Sequence, residues 1–214
     1  MKLVSLNVGL PRELHWNDET VRTSIFKAPV TGRVRLRGNN LDGDRQSDLT
    51  VHGGVDKAVY GYPSEHYSFW RGELTAELPW GAFGENLTTE GLLEESLCIG
   101  DRIRVGTAEL AVTQPRQPCF KLGIRHGRPD VVKRFKRSGR PGFYFAVIRE
   151  GELGAGDSLE LVPWEGDRIS VAAAERAFYD RRPDPTLVRR LLAIPALAAS
   201  WRQHFAEVLD RLGP

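Results

Sequence analysis

The chemistry of this chain starts at Cys119, in the segment Gln114-Pro-Arg-Gln-Pro-Cys-Phe-Lys121. The thiolate is the nucleophilic and metal-binding form of cysteine, and neighbouring cations favour it. Arg116 stands three residues before Cys119 and Lys121 two after it, while Pro115 and Pro118 stiffen the segment. From these residues alone two readings stay open. One is an activated thiol on a rigid loop; the other is a buried structural cysteine, common for this residue type. Cys98 lies in the apolar stretch Leu97-Cys-Ile99 and reads as core. Two cysteines outside any CxxC pair make neither a disulfide scaffold nor a zinc ribbon.

Three further segments carry polar groups at suggestive spacing. In Asp48-Leu-Thr-Val-His-Gly-Gly-Val-Asp-Lys-Ala-Val-Tyr60, Gly53 and Gly54 follow His52, and Lys57 adds a cation. Backbone amides at such a glycine pair can form a nest for phosphate; a plain glycine turn between strands fits equally. In Phe83-Gly-Glu-Asn86, Asn86 is placed to orient a ring or a ligand amide, with Thr88 and Thr89 as hydroxyl donors. Taken alone, that tetrapeptide reads as a turn. The basic run over 125–140 is either a solvated helix face or a dock for an anionic cofactor or an acidic redox partner. It lacks the interleaved aromatics of an RNA-binding surface.

Positioning these groups requires a scaffold, and most of it reads as β. Short runs rich in valine, isoleucine and aromatics cover 2–8, 32–36, 58–62, 96–105, 109–113, 142–149 and 158–162, separated by glycine or Asp-Arg punctuation. So many short strands suggest a closed or nearly closed barrel, because closure removes exposed edges. Two helices interrupt it, over 63–74 and 129–136. After about Gly166 the pattern becomes helical, giving a domain of 1–165 and a three-helix unit of 166–214. Ser170 caps the first tail helix, Asp184-Pro185 starts the second, and Pro195 introduces a third over 196–212. A unit of that size needs docking to be stable.

The bulk numbers are those of a globular protein: 41% hydrophobic, 27% charged, net charge +2. No global field drives it onto nucleic acid or membrane. No run approaches the roughly 20 apolar residues that span a bilayer. The N-terminus alternates like a strand and lacks a cleavage site, so the cytoplasm is the expected location.

Several of these segments, taken in order, resemble MOSC domains: Asp48-Leu-Thr-Val-His-Gly-Gly-Val-Asp-Lys-Ala-Val, Pro63-Ser-Glu-His-Tyr67, Phe83-Gly-Glu-Asn-Leu-Thr-Thr-Glu-Gly91, Ile99-Gly-Asp101 and Gln114-Pro-Arg-Gln-Pro-Cys-Phe-Lys-Leu122. More narrowly the chain resembles the YiiM-like branch, whose members add a C-terminal three-helix unit. The resemblance covers nearly the whole chain. It implies a MOSC-type β barrel that binds molybdenum cofactor, a molybdopterin whose dithiolene holds the metal. It places the family's metal-ligand cysteine, and hence the catalytic residue, on Cys119. It puts His52, Gly53, Gly54, Lys57, Asn86, Arg116 and Lys121 in segments that surround the cofactor. A soft thiolate suits a metal already held by sulfur donors. Some relatives carry histidines where this chain has Tyr60 and Gly61.

The resemblance further implies a molybdenum-dependent oxidoreductase acting on N-hydroxylated compounds, including hydroxylaminopurine-type base analogues. The chain has no flavin or nicotinamide fingerprint and too few cysteines for its own iron–sulfur cluster, so a separate reductase must supply electrons. Two alternatives compete with this reading. In one, Cys119 carries a persulfide as a sulfur carrier or transferase; in the other, the protein only stores or hands over molybdenum cofactor.

Overall fold

The computed structural model describes residues 1–46 and 53–212. The chain opens with β1 (Lys2–Val8), the hairpin strands β2 (Arg12–Trp16) and β3 (Glu19–Thr23), then β4 (Ala28–Pro29), β5 (Arg33–Arg37) and β6 (Asn40–Leu41). A 3-10 turn at Val55–Lys57 leads into β7 (Val59–Pro63), α1 (His66–Leu74), β8 (Leu87–Glu90), β9 (Arg102–Val105) and β10 (Ala108–Pro115). Two helices, α2 (Phe120–His126) and α3 (Asp130–Ser138), precede β11 (Phe143–Arg149), β12 (Gly151–Gly154) and β13 (Leu159–Val162). The chain then turns helical: α4 (Val171–Tyr179), α5 (Pro185–Ala193) and α6 (Ala199–Leu212).

Sheet dominates the first part of the chain, as its pattern indicates. Eight strands run in the order β13-β9-β10-β11-β7-β8-β1-β4, with β12-β5-β6 and the β2-β3 hairpin as separate ribbons. The β7–β8 ladder is parallel and the others in this sheet are antiparallel. The order leaves β13 and β4 as edges, not a closed ring of ladders. A single bridge, Lys2 to Ser158, links the start of β1 to the approach to β13. Leu3 N–H donates to the Asp157 carbonyl (2.9 Å) and Leu159 N–H to the Met1 carbonyl (3.1 Å) beside it.

The strand expected over 96–105 is shorter than its composition suggests. Residues 96–101 turn, because the Asp101 carboxylate gathers donors from three directions: Cys98 N–H (2.8 Å), Trp164 N–H (2.8 Å) and the Arg168 guanidinium (2.9 Å). Cys98 is buried, as expected of a core cysteine, but it is tied to Ser170 by an isolated bridge and lies outside any strand.

One apolar core joins sheet and tail. Leu6, Leu110, Val112 and Phe145 from the sheet share it with Val171, Leu191, Trp201 and Phe205 from the helices. The three helices therefore cover the sheet of their own chain. Their starts follow local rules: the Ser170 side chain accepts from Ala173 N–H (3.1 Å), and Asp184 accepts from Thr186 N–H (2.8 Å) with Pro185 at the first turn. The third begins at Ala199, later than its sequence pattern suggests. A second cluster of Tyr62, Tyr67, Trp70, Phe83 and Phe135 packs α1 and α3 beside the sheet.

Candidate functional site

β10 delivers the thiol segment. Pro115 still pairs with Phe143 of β11, Arg116 N–H reaches the Gly142 carbonyl at 3.4 Å, and the chain then leaves the sheet. Cys119 takes an extended conformation as the residue before α2, and its carbonyl accepts Leu122 N–H at 3.0 Å. Cys119 is half-buried, Phe120 beside it is exposed, and Lys121 is buried. The thiol is thus held on a rigid corner at the surface of a cleft.

Arg116 sits under that corner, buried. It donates to the Phe83 carbonyl (2.7 Å) and the Tyr60 hydroxyl (3.3 Å), with the Tyr60 ring 4.7 Å and the Phe135 ring 5.4 Å from its guanidinium carbon. Desolvation works against its charge, but Tyr60, Tyr144 and Cys119 prevail and hold it well above an arginine's ordinary value. A guanidinium fixed this way is a permanent positive charge beside the thiol, and such a charge favours thiolate over thiol. The Tyr60 hydroxyl passes its own hydrogen to the Pro141 carbonyl (2.7 Å), and burial keeps it protonated.

The segment Phe83-Gly-Glu-Asn86 is a scaffold, not a plain turn. The buried Glu85 carboxylate accepts Gly81 N–H (2.8 Å), Phe83 N–H (3.0 Å), the Thr88 hydroxyl (3.0 Å) and the Tyr67 hydroxyl. Burial raises its pKa against those donors. Asn86 lines the cleft, but its amide is engaged within the protein. Its Oδ1 accepts Tyr60 N–H (3.1 Å), and its Nδ2 donates to the Asn7 carbonyl (3.2 Å) and Asp44 (2.9 Å). Asn86 therefore ties β1, β7 and Asp44 together, and contributes to ligand geometry by holding that wall.

Asp44 in turn pairs with Lys27, both buried. Burial lowers the Lys27 pKa, opposed by Asp44 and Glu85. Lys57 ends the 3-10 turn and is half-buried; burial pulls its pKa down against Asp56.

These groups meet in one cleft. Of the residues singled out in the sequence, it brings together Cys119, Arg116, Lys121, Lys57 and Asn86. Gly53 and Gly54 lie just before the 3-10 turn and do not line it, and Gly54 takes φ of +96°. His52 and the Asp48–Val51 part of its motif lie outside the described residues. Another wall, with Ser24, Lys27, Asp44 and Arg45 among its members, is not legible in the sequence, nor is Tyr144 of β11 beside the thiol corner. Only the burial of Lys27 and Asp44 reveals them, because an isolated lysine and an isolated aspartate normally read as surface.

The basic run over 125–140 is mostly committed within the molecule. Arg125 lies over the Phe26 ring (5.1 Å) and Arg140 over Phe69 (4.1 Å). Arg128 and Arg134 share Asp130, and Arg134 also reaches Glu73 (2.9 Å). Lys133, Lys136 and Arg137 stay exposed on α3.

Comparison with known proteins decides the family. A MOSC domain model matches residues 48–160, and a YiiM-like 3-alpha helix domain model matches 169–211. The chain belongs to the MOSC family. Within it this MOSC protein falls in the YiiM-like branch. It is 38% identical to Protein YiiM of Escherichia coli (strain K12) over 84% of this chain and 81% of that one. It is 44% identical to YflK of Bacillus subtilis (strain 168), covering 99% of this chain and 96% of that protein. A protein named Reductase from Gibberella moniliformis is 33% identical over 82% of this chain, which spans 32% of that longer protein. The crystal structure of YiiM from Geobacillus stearothermophilus superposes with a TM-score of 0.82 at 37% identity, covering 97% of this chain and 98% of that one.

The residues present fit the cofactor that the family implies. A soft sulfur donor faces a cleft ringed by cations, and the buried Ser24 hydroxyl in its wall has no partner among the described residues. Among the described residues no group of three or more His, Cys, Asp or Glu side chains is disposed to hold a metal ion. A metal bound at Cys119 would take its remaining donors from a ligand, as a dithiolene provides. No helix of the described residues is long and apolar enough to cross a membrane.

Proposed function

We propose that this MOSC protein holds molybdenum cofactor in the Cys119 cleft and reduces N-hydroxylated compounds, hydroxylaminopurine-type base analogues among them. The observation that carries this reading is the convergence of Cys119 with Lys27, Lys57, Arg116 and Lys121 on one cleft. A thiolate supplies a metal ligand, and the cations suit an anionic, phosphate-bearing ligand. Kinship with a protein named Reductase supports oxidoreductase chemistry.

When bound, the cofactor supplies the two-electron chemistry that breaks an N–O bond. The protein's residues do the rest. Cys119 anchors the metal, and Arg116 keeps a fixed charge beneath the anchor. Burial holds the Tyr60 and Tyr144 hydroxyls protonated next to the thiol corner. Overall the N–O bond breaks, one N–H and one O–H form, and two electrons and two protons are consumed. The electrons come from a separate reductase, for which the exposed Lys133, Lys136 and Arg137 on α3 form an acidic-partner dock. The bridge between β1 and the β13 approach supports reading the main sheet as a barrel with an incomplete closing ladder. The boundary between barrel and tail units falls near 165/166.

The test is expression in a molybdenum-competent host, with molybdenum, pterin and N-hydroxyl reduction measured per chain. The unsubstituted protein should carry both, and Cys119→Ser should lose turnover by roughly 10²-fold or more, the scale on which support of a metal site acts. A protein bearing persulfide on Cys119 and no molybdenum would overturn the reading.

A further inference from the structure

One wall of the cleft comes from residues 23–27 and 44–46, outside the stretch that matches the family model. Its placement follows from the fold: β3 ends at Thr23, and the chain passes over the cleft before pairing as β4 beside β1. Beyond Thr23, two polar residues of this passage are buried and line the cleft. Ser24 is 8% exposed and Lys27 9%.

Ser24 Oγ has no hydrogen-bond partner among the described residues. Burying a hydroxyl without a partner is unfavourable, so a ligand oxygen that accepts its hydrogen would be bound favourably there. Lys27 carries three N–H donors, and its hydrogen bond goes to Asp44. That carboxylate is also served by Gly9 N–H (2.8 Å) and Asn86 Nδ2 (2.9 Å), so the protein itself meets its needs. The pair is neutral as a unit, and apart from Cys119 the other charged groups of the lining, Arg45, Lys57, Arg116 and Lys121, are all positive. The field in the cleft therefore favours an oxygen-rich anionic group, and the donors on the 23–27 passage are placed to meet it.

We propose that Ser24 Oγ and Lys27 Nζ form a subsite that binds an accepting oxygen of the ligand in the Cys119 cleft. The serine gives its hydroxyl hydrogen and the lysine the N–H groups not turned to Asp44. This deepens the reading of the cleft given above and rests on its being a ligand site. Such an oxygen has two sources, a phosphate of the pterin or the N–O oxygen of the substrate.

Ser24→Ala removes the donor without changing charge or adding bulk, and Ser24→Thr restores a hydroxyl. Three quantities are measured on the full chain: bound pterin and molybdenum, KM and kcat for an N-hydroxylated substrate, and the rise in melting temperature with inorganic phosphate on cofactor-free protein. Ser24→Ala should weaken phosphate stabilisation, and Ser24→Thr should recover it. If the oxygen is the pterin's, Ser24→Ala also lowers pterin content severalfold. If it is the substrate's, pterin is unchanged and KM rises about tenfold at constant kcat, the effect of one lost hydrogen bond. Unchanged phosphate stabilisation, pterin content and KM in Ser24→Ala overturn the subsite. Should the unsubstituted protein carry no molybdenum or pterin, the redox reading fails separately, and equal phosphate stabilisation of the two proteins then rejects the subsite.

Discussion

Two clusters of buried ionisable groups flank Gly142, and they handle charge in opposite ways. On the cleft side, the Gly142 carbonyl accepts Arg116 N–H, and the arginine keeps its charge against desolvation because a carbonyl, a hydroxyl and two ring faces surround it. Nearby His126 is driven the other way. Burial and the charges of Arg125 and Arg116 push its pKa down to about 4, so its ring is neutral. On the helix side, Gly142 N–H donates to Glu94 (2.8 Å), which also bonds His66 (2.8 Å). There Glu175 of α4 is buried, and burial together with the Glu94 charge pushes its pKa up to about 7. The cleft side expels protons from a base and the helix side retains them on an acid. A cation-rich pocket thus excludes further positive charge, while the seam under α4 tolerates only one full negative charge.

The comparison is broken most severely at its pivot. Gly142 has φ of +65°, and a Cβ there would stand 2.5 Å from the Gly61 carbonyl oxygen and 2.8 Å from the Tyr62 ring. Gly142→Ala should destabilise the fold by about 3 kcal/mol or more, since strain and a backbone clash combine. Urea unfolding checks this; a loss under 1 kcal/mol would mean the two clusters are not locked through this residue.

The next effect lies on the helix side. The folded pKa of Glu175 is above its ordinary 4.5, so the native state binds more protons between about 4.5 and 7. The stability tied to this proton is present below about pH 4.5 and fades as pH rises through 7. Glu175→Gln should therefore gain about 2 kcal/mol over the unsubstituted protein at pH 8 and little at pH 4.5. Equal unfolding midpoints at pH 8 would contradict the proposed repulsion by Glu94.

The cleft side should show the mirror image. His126 has a lowered folded pKa, so the unfolded chain binds more protons between about 4 and 6.5, and stability is lost as pH falls through that window. Replacing it by Asn keeps a donor toward the Ala82 carbonyl while removing the titration. His126→Asn should flatten the acid limb by about 1.5 kcal/mol between pH 6.5 and 4, read from denaturation at several pH values. An acid limb as steep as before would place the titration elsewhere.

The smallest effect sharpens the contrast by separating local from coupled stability. Ser170→Ala removes the cap of α4 and should cost about 1 kcal/mol at any pH. A pH-dependent loss would mean that the helix start and the Glu175 proton are linked.

What the sequence revealed follows from what its residues do locally. β1 is legible to the residue because Leu3, Ser5 and Asn7 interleave with Val4, Leu6 and Val8 over 2–8, and the tail caps are legible because Ser170 and Asp-Pro at 184–185 act on their own backbone. The β2-β3 hairpin and β8 are not, since their exposed or motif-bearing residues carry no simple alternation. α2 was hidden because seven residues starting beside a cysteine give too little periodicity to read. For the candidate site, Cys119, Arg116, Lys121 and Lys57 stand in segments that local sequence picks out, and they line one cleft. Ser24, Lys27 and Asp44 join the cleft only through tertiary contacts spanning much of the chain, which no local pattern encodes. Asn86 was read in the right place, but its role is to bind protein groups.

That long-range assembly has a temporal consequence. The cleft draws on residues from Thr23 to Tyr144, and the core behind it is completed by helices that begin at Val171. As the chain leaves the ribosome, the first wall must wait for the thiol corner, and both must wait for the tail to seal the sheet. The cleft is then complete only once the tail has docked, and a truncated or stalled chain would present Cys119 without the walls that surround it.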